Sequence, residues 1–457
     1  MKRIIILVLS IGVVMAVLFG LCSCGTRVVV NFDTDGGSEV ESQEVLSGKH
    51  AHLPEAPIKD GYAFIGWYAG DEEWSFAGHV VTEDITLKAR WAKCLIFEEN
   101  DDGTYTVSDY KPIAENITIP STYKGEDVTA IGSGAFAPGD NPEKHLLSIT
   151  IPDTVTVIEA WAFSGCDRLS SVKLPSELEK IEDNAFNGCI SMTSINIPSS
   201  VEHIGENVFK DCDDIQMEES EGLYYLDNWL IRAESGIKKA EISNGCVGIA
   251  GSAFYDCKKL ESVRIAGSVD FIGPCAFGQC EKLTQIEFLG QISEICNGAF
   301  SSTGITQMEL PDGIESISER MFANCEELVS VVIPNGVKTI GERAFVNCSK
   351  LENVSMPNSL REIGENAFTT CHSLKEITIP SGVEKIGKEA FEYSGLTRLI
   401  IPKSVKEVGF YITFGCDDIV LIGCEAQEKP EGWDEDWTQF DSVFDSVIIA
   451  WGYGQDN

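Results

Sequence analysis

A 23-residue period is the feature that most limits what this chain can fold into. Phenylalanines recur at that spacing, usually with Ala before them and often with Cys three residues later, and three steps deviate, with lengths of 27, 45 and 22 residues. The recurring positions are Phe136, Phe163, Phe186, Phe209, Phe254, Phe277, Phe300, Phe322, Phe345, Phe368, Phe391 and Phe414. Such self-similarity indicates one structural unit repeated many times.

One repeat cannot bury its own apolar residues. The unit reads Leu-x-x-Ile-x-Ile-Pro-x-x-Val-x-x-Ile-Gly-x-x-Ala-Phe, as in Leu374 to Phe391. The Ile-x-Ile segment predicts a short strand with alternate side chains turned inward, which Pro then ends. Stacked coils would add one strand each to a parallel sheet around a continuous core. We therefore predict a mainly β solenoid.

The repeat resembles the BspA-like (TpLRR, 23-residue) leucine-rich repeats of bacterial surface proteins. This resemblance implies a solenoid over residues 93–425, with an N-terminal cap at 93–135, an atypical unit at 222–253 and a C-terminal cap at 426–457. Such arrays need caps because the last coil would otherwise expose its apolar face.

A different pattern precedes the repeats. Val28–Phe32 predicts a strand, Gly61–Tyr68 an aromatic strand region, and Val81–Trp91 a last strand with alternating polarity. These landmarks resemble the Listeria–Bacteroides (internalin-type B) repeat. The resemblance implies a small β-grasp-like domain over residues 28–92 that acts as a surface spacer or weak adhesive module.

The N-terminus has the order of a secretory signal peptide. Lys2 and Arg3 precede an apolar run from Ile4 to Leu21, and small residues follow. The Leu-x-Ser-Cys ending resembles the lipobox of bacterial lipoproteins, which implies a signal peptide at 1–23, lipidation of Cys24 and an anchor segment at 24–27. The alternative is an uncleaved transmembrane anchor, because the run is just long enough to span a bilayer. Either predicts a protein outside the cytoplasm; the lipobox adds lipid anchoring at the cell surface.

Charge excludes two classes of partner. The chain has 34 Lys and Arg against 72 Asp and Glu, a formal net charge of −38. Such a surface repels nucleic-acid phosphates and anionic lipid headgroups. We therefore expect no nucleic-acid partner and no attachment through a polybasic patch; the membrane is reached through the N-terminus alone.

The positions of the cysteines in the repeat favour buried free thiols over disulfide bridges. Most occupy one slot of the repeat, where their Cα–Cβ vectors would run parallel rather than face each other. A few disulfides among the irregular residues Cys275, Cys296, Cys416 and Cys424 are the alternative. No Cys-x-x-Cys or Cys/His cluster has zinc-ligand spacing, so we expect no metal site and no cofactor.

The outward positions of the strands form the candidate ligand face. Two rows of mostly polar side chains cross the predicted sheet, and a solenoid commonly binds through such a surface. The candidate residues are Arg264, Glu287, Glu309, Val332, Ser355, Thr378 and Ile400.

The sequence favours one of three functional classes. A non-enzymatic surface protein that binds host or neighbouring-cell proteins or glycans is favoured, and a passive spacer or coat protein is the alternative. Catalysis is not expected, because no nucleophile elbow, His-Glu-x-x-His or phosphate-binding glycine loop occurs.

Overall fold

The computed structural model describes residues 26–139, 145–438 and 447–454. The chain divides into two compact units. The first contains the described residues up to Pro57 together with Gly66–Arg90, and the second contains Ile58–Ile65 and the chain from Trp91 onward. Within the described ranges, no helix has the length and apolar character needed to span a membrane. The domain boundaries given above remain predictions.

The first unit is built on a short mixed sheet. The strands in this part of the chain are β1 (Arg27–Asp33), β2 (Gln43–Leu46), β3 (Ala63–Ala69), β4 (Glu72–Glu73) and β5 (Ile85–Ala92). β1 pairs with β2 in antiparallel and with β5 in parallel orientation. Val30, Trp67 and Leu87 are buried between them, so the alternating apolar residues form the core of this unit.

The second unit contains the remaining strands. Those before the repeats and in the first coils are β6 (Leu95–Glu99), β7 (Tyr105–Tyr110), β8 (Asn116–Thr118), β9 (Thr122–Tyr123), β10 (Glu126–Ile131), β11 (Ser148–Thr150), β12 (Val157–Ile158), β13 (Ser171–Lys173), β14 (Lys180–Ile181) and β15 (His203–Ile204). Those of the middle of the chain are β16 (Glu218–Ser220), β17 (Leu223–Leu226), β18 (Trp229–Ala233), β19 (Lys239–Glu241), β20 (Gly248–Ile249), β21 (Ser262–Ile265), β22 (Phe271–Ile272), β23 (Gln285–Phe288) and β24 (Glu294–Ile295). The last are β25 (Gln307–Glu309), β26 (Ser316–Ile317), β27 (Ser330–Val332), β28 (Thr339–Ile340), β29 (Asn353–Ser355), β30 (Glu362–Ile363), β31 (Lys385–Ile386), β32 (Arg398–Ile401), β33 (Glu407–Val408), β34 (Leu421–Cys424) and β35 (Ile448–Trp451).

Coils stack in register, as the period predicts. A typical coil contributes two strands, and each pairs in parallel with its equivalent in the next coil: Ile149 lies opposite Val172, and Ile158 opposite Ile181. The Ile or Val of each strand points inward, so successive coils shield one another. The predicted β solenoid is confirmed.

The recurring phenylalanines form the centre of this core. From Phe136 to Phe209, and again from Phe254 to Phe391, the rings stack nearly parallel on one another, with neighbouring centroids 4.8–5.8 Å apart. All of them are buried. Offset stacking at this separation is a favourable arrangement of aromatic rings.

Phe414 does not occupy this slot, contrary to the sequence prediction. The amide of Phe368 donates to the carbonyl oxygen of Ala390, and in the next coil the amide of Phe391 donates to that of Ile412. Thr413, only 1% exposed, therefore takes the core position. The last repeat step is 22 residues, and Phe414 lies beside the slot.

The core is not continuous along the whole array, so that prediction was wrong at one point. One cluster of buried residues holds the coils up to Ile215, which we call the first array, and another holds most of the second array, from Leu223 to Trp437. The cluster of the first array also includes six residues of the second: Leu226, Trp229, Ile231, Ala250, Phe271 and Cys296. The second strands of successive coils pair in parallel, and we call the surface they form the second-strand sheet. Between the two arrays β16, β17 and β18 form an antiparallel meander that interrupts this sheet after β15. The amide of Gly251 still donates to the carbonyl oxygen of Ile204, at 3.0 Å.

The described cysteines are all unbridged, and all but Cys275 are buried. In most coils the slot thiol donates to the carbonyl oxygen of the phenylalanine one coil earlier, as from Cys348 to Phe322 at 3.1 Å. Cys416, predicted to be irregular, does the same to Phe391 at 3.0 Å. Burial raises the pKa of Cys246 and Cys257 to about 11, which keeps both thiols protonated at neutral pH.

Two tryptophans cover the last coil of the second array. Trp433 and Trp437 are buried against each other, with ring centroids 4.7 Å apart. The indole N–H of Trp433 donates to the carbonyl oxygen of Val405 at 3.2 Å. This segment lies within the predicted C-terminal cap.

Candidate functional site

The strand face of the second array begins with a row of three charges. Glu241, Arg264 and Glu287 lie directly opposite one another on β19, β21 and β23. Because the inward neighbours of Arg264 are apolar, its own side chain points to solvent. The Arg264 guanidinium contacts Glu241 at 2.9 Å and Glu287 at 3.1 Å.

These contacts orient Arg264 rather than stabilise the fold. Hydrogen bonding by Glu241, with the charge and hydrogen bond of Glu287, raises the pKa of the Arg264 guanidinium. All three side chains are about half exposed or more, where ion pairs contribute little to folding. Their effect is to hold a planar cation between two carboxylates at a fixed place on the surface.

An open depression surrounds this row. It has a volume of about 380 Å³ and is lined by side chains of both charges, with apolar residues on its floor. The polar lining includes Glu221, Lys239, Glu241, Ser262, Arg264 and Gln285. The depression therefore offers donors, acceptors and both signs of charge to a polar ligand.

The other predicted residues continue along the face in separate short sheets. Glu309, Val332 and Ser355 lie opposite one another on β25, β27 and β29, and Thr378 forms an isolated bridge with Ile400. Val332 is 46% exposed, and its apolar side chain stands among polar ones. No sheet joins β23 to β25.

The structure thus brings the predicted residues together in three groups rather than one row. We call them the Arg264 patch (Glu241, Arg264, Glu287), the Val332 patch (Glu309, Val332, Ser355) and the Ile400 patch (Thr378, Ile400). Sequence reasoning missed Glu241, because the 45-residue step hides the repeat that contains it. That step, one residue short of two repeats, is the signal that could have placed it.

A second group of candidate metal-ligating side chains lies elsewhere. His203, Glu294 and Cys296 bring one donor atom each within 4.8 Å of the others. These residues come from distant parts of the sequence, so no ligand-spacing motif could reveal them. Cys24 lies outside the described residues.

Family comparisons match both parts of the chain. The BspA type Leucine rich repeat region matches over residues 129–258, 220–326 and 293–420, in six copies. The Listeria-Bacteroides repeat domain matches residues 29–90. Both resemblances drawn from the sequence are confirmed.

Curated relatives align only with limited segments. A putative membrane protein of Evansella cellulosilytica is 34% identical over 106 residues, which is 22% of this chain and 15% of that protein. Internalin H of Listeria monocytogenes is 41% identical over 66 residues, 14% of this chain and 12% of its own length. The chain therefore spans less than a fifth of the length of either relative.

Solved structures align over longer stretches. A leucine-rich repeat protein from Bacteroides ovatus is 25% identical and covers 77% of this chain and 98% of its own, with a TM-score of 0.35. The pneumococcal vaccine antigen PcpA is 20% identical and covers 78% and 90%, with a TM-score of 0.37.

Proposed function

The chain belongs to the BspA-type leucine-rich repeat family, and from this premise we propose that it is a non-catalytic cell-surface protein that binds other proteins or glycans. The partners are surface proteins or glycans of a host or of neighbouring cells. The strand face of the second array is the binding surface, and the internalin-type domain serves as a spacer.

The Arg264 patch carries this proposal. A guanidinium held by Glu241 and Glu287 is fixed before any ligand arrives, so binding costs little side-chain entropy. The depression around it supplies further polar groups, and the Val332 patch adds an exposed apolar contact. A polar surface with one fixed cation and an apolar contact suits a folded protein or a glycan.

Binding is tested on cells that display the full chain. The cells are presented to arrays of glycans and extracellular proteins, and each hit is measured again with Arg264→Glu and Val332→Glu. We expect at least a tenfold loss of affinity with each variant, since interface anchors of this kind typically contribute more than about 1.4 kcal/mol.

Two control variants make the same kinds of substitution at surface residues outside the candidate ligand face. Lys385→Glu reverses a charge on the second-strand sheet, and Val420→Glu adds one at a residue outside the candidate row that is 59% exposed. Both should bind as the unmodified chain does. An absence of hits above background, or equal losses with the control variants, would favour the passive spacer instead.

We further propose that the chain is held at the membrane by lipid on Cys24. The lipobox-like ending and the preceding apolar run support this position. One acyl chain binds a membrane only reversibly, whereas two or more chains anchor a protein stably.

Replacing Cys24 by Ser separates the two modes of anchoring. Without the sulfur no diacylglyceryl group can be attached, so we expect the protein to leave the membrane fraction or to accumulate unprocessed there. Metabolic labelling with a fatty acid gives the second readout: label on the unmodified chain and none on Cys24→Ser. Membrane retention with no lipid label on either protein would establish the transmembrane alternative.

A further inference from the structure

Three unlike metal-binding side chains meet at the junction between the two arrays. The imidazole of His203, the carboxylate of Glu294 and the thiol of Cys296 each place a donor atom within 4.8 Å of the other two. His203 belongs to β15, the last strand of the first array's second-strand sheet, whereas Glu294 and Cys296 lie in and directly after β24 of the second array.

The interrupted sheet is what brings them together. Phe271 lies opposite Glu294, at a position that is occupied by an exposed polar residue in other coils, such as Lys180. Phe271 is only 5% exposed, because the rings of His203 and Trp229 pack against it at 4.9 and 5.6 Å between centroids. The end of the first array therefore lies on the outer face of the second, with His203 directed towards Glu294.

Cys296 departs from the repeat at this point. The residue after the second strand is glycine in several coils, including Gly273, Gly341 and Gly364, but cysteine here. Its side chain is 8% exposed, and its thiol donates to Glu294 at 3.6 Å. Burial and the Glu294 carboxylate raise the pKa of the Cys296 thiol.

The surroundings favour a divalent cation. A cavity of about 410 Å³ opens beside the three donors and is also lined by Glu182 and Asp183. Asp183 accepts the backbone amide of Glu206 and Glu182 that of Ala160, so these carboxylates are fixed as a negative second layer. One thiolate and one carboxylate together balance the charge of a dication.

We propose that His203, Glu294 and Cys296 bind one Zn²⁺ ion, which fastens the first array to the second. Imidazole nitrogen, thiolate sulfur and carboxylate oxygen are the ligands zinc takes in proteins. Bond lengths of about 2.0–2.3 Å imply donor separations of about 3.5 Å, close to the 3.6 Å between the Cys296 sulfur and a Glu294 carboxylate oxygen. The fourth position opens to the cavity and takes water.

The test measures metal uptake by the reduced, metal-free full chain. We expect one Zn²⁺ per chain, and with Co²⁺ a near-ultraviolet thiolate-to-metal charge-transfer band. Cys296→Gly and His203→Gln should each weaken binding at least about 100-fold and abolish the band or sharply reduce it, since even loss of a second-shell partner costs up to about that much. Cys296→Gly installs the residue that other coils already carry, so it should fold.

Two control variants distinguish this site from adventitious binding. Cys275→Ser removes a nearby cysteine outside the donor set, and Glu407→Gln neutralises the residue that occupies the slot of Glu294 in a later coil. Both should bind Zn²⁺ as the unmodified chain does. No stoichiometric uptake by the unmodified chain, or uptake that survives both Cys296→Gly and His203→Gln, would overturn the proposal.

Discussion

At the scale of the residue, position in the repeat decides what a side chain contributes. Phe345 is fully buried and stacks on Phe322 and Phe368, with centroids 5.3 and 5.1 Å away. Phe414 belongs to the same residue type and falls on the same 23-residue count, yet it is only half-buried and packs against Tyr393 and Tyr411. Sequence counting alone treats the two as equivalent.

This difference gives a matched pair of substitutions. Phe345→Ala should lower the free energy of unfolding by about 3–5 kcal/mol, because it leaves a cavity between stacked rings. Phe414→Ala should cost no more than about 1.5 kcal/mol, since little apolar surface is re-exposed there. Urea denaturation followed by circular dichroism measures both, and equal losses would contradict the assignment of Thr413 to the core slot.

At the scale of the element, regular coils could be predicted from the sequence and irregular ones could not. The Ile-x-Ile-Pro pattern located strands such as β11 because alternation and a terminating proline act locally. The meander of β16, β17 and β18 breaks the period, and its partner strands depend on tertiary packing.

The turns were equally difficult to predict from the sequence. Each coil reverses through a residue with positive φ two positions before the phenylalanine slot, and Asn184 and Asn207 suit that conformation. Trp161, Arg343 and Tyr411 adopt it as well, although their side chains disfavour it. At these three turns the sequence therefore lacks the glycine or asparagine that would have indicated a residue with positive φ.

The candidate sites show the same division. The outward row through Arg264 and Val332 follows from strand alternation, so the sequence predicted which residues share the face. It could not predict that the face divides between β23 and β25, or that His203 lies near Cys296, because both depend on how whole coils are displaced.

At the scale of the whole second unit, two hydrophobic cores replace the single one expected from the repeat. Coils in a solenoid contact mainly their neighbours, so a local defect should spread within its own array. Phe186→Ala should therefore accelerate amide hydrogen exchange in β12, β14 and β15 more than in β28 and β30. Phe345→Ala should do the reverse.

Hydrogen exchange with mass spectrometry resolves these segments, and the two variants act as controls for each other. The contrast should be largest without Zn²⁺ and smaller when the metal is bound. Uniform acceleration along the unit by either variant would show that the two cores unfold as one.

The sulfur contacts between coils determine how well the cysteines are protected from oxidation while the chain folds. A cysteine-rich polypeptide that folds in an oxidising space risks mispaired crosslinks for as long as its thiols are accessible. Here each slot sulfur becomes enclosed when the neighbouring coil docks, as Cys348 is behind Phe322. If the coils fold one after another, each new coil would shield the next thiol from oxidants. The folded molecule would then resist oxidation although these cysteines form no disulfide with one another.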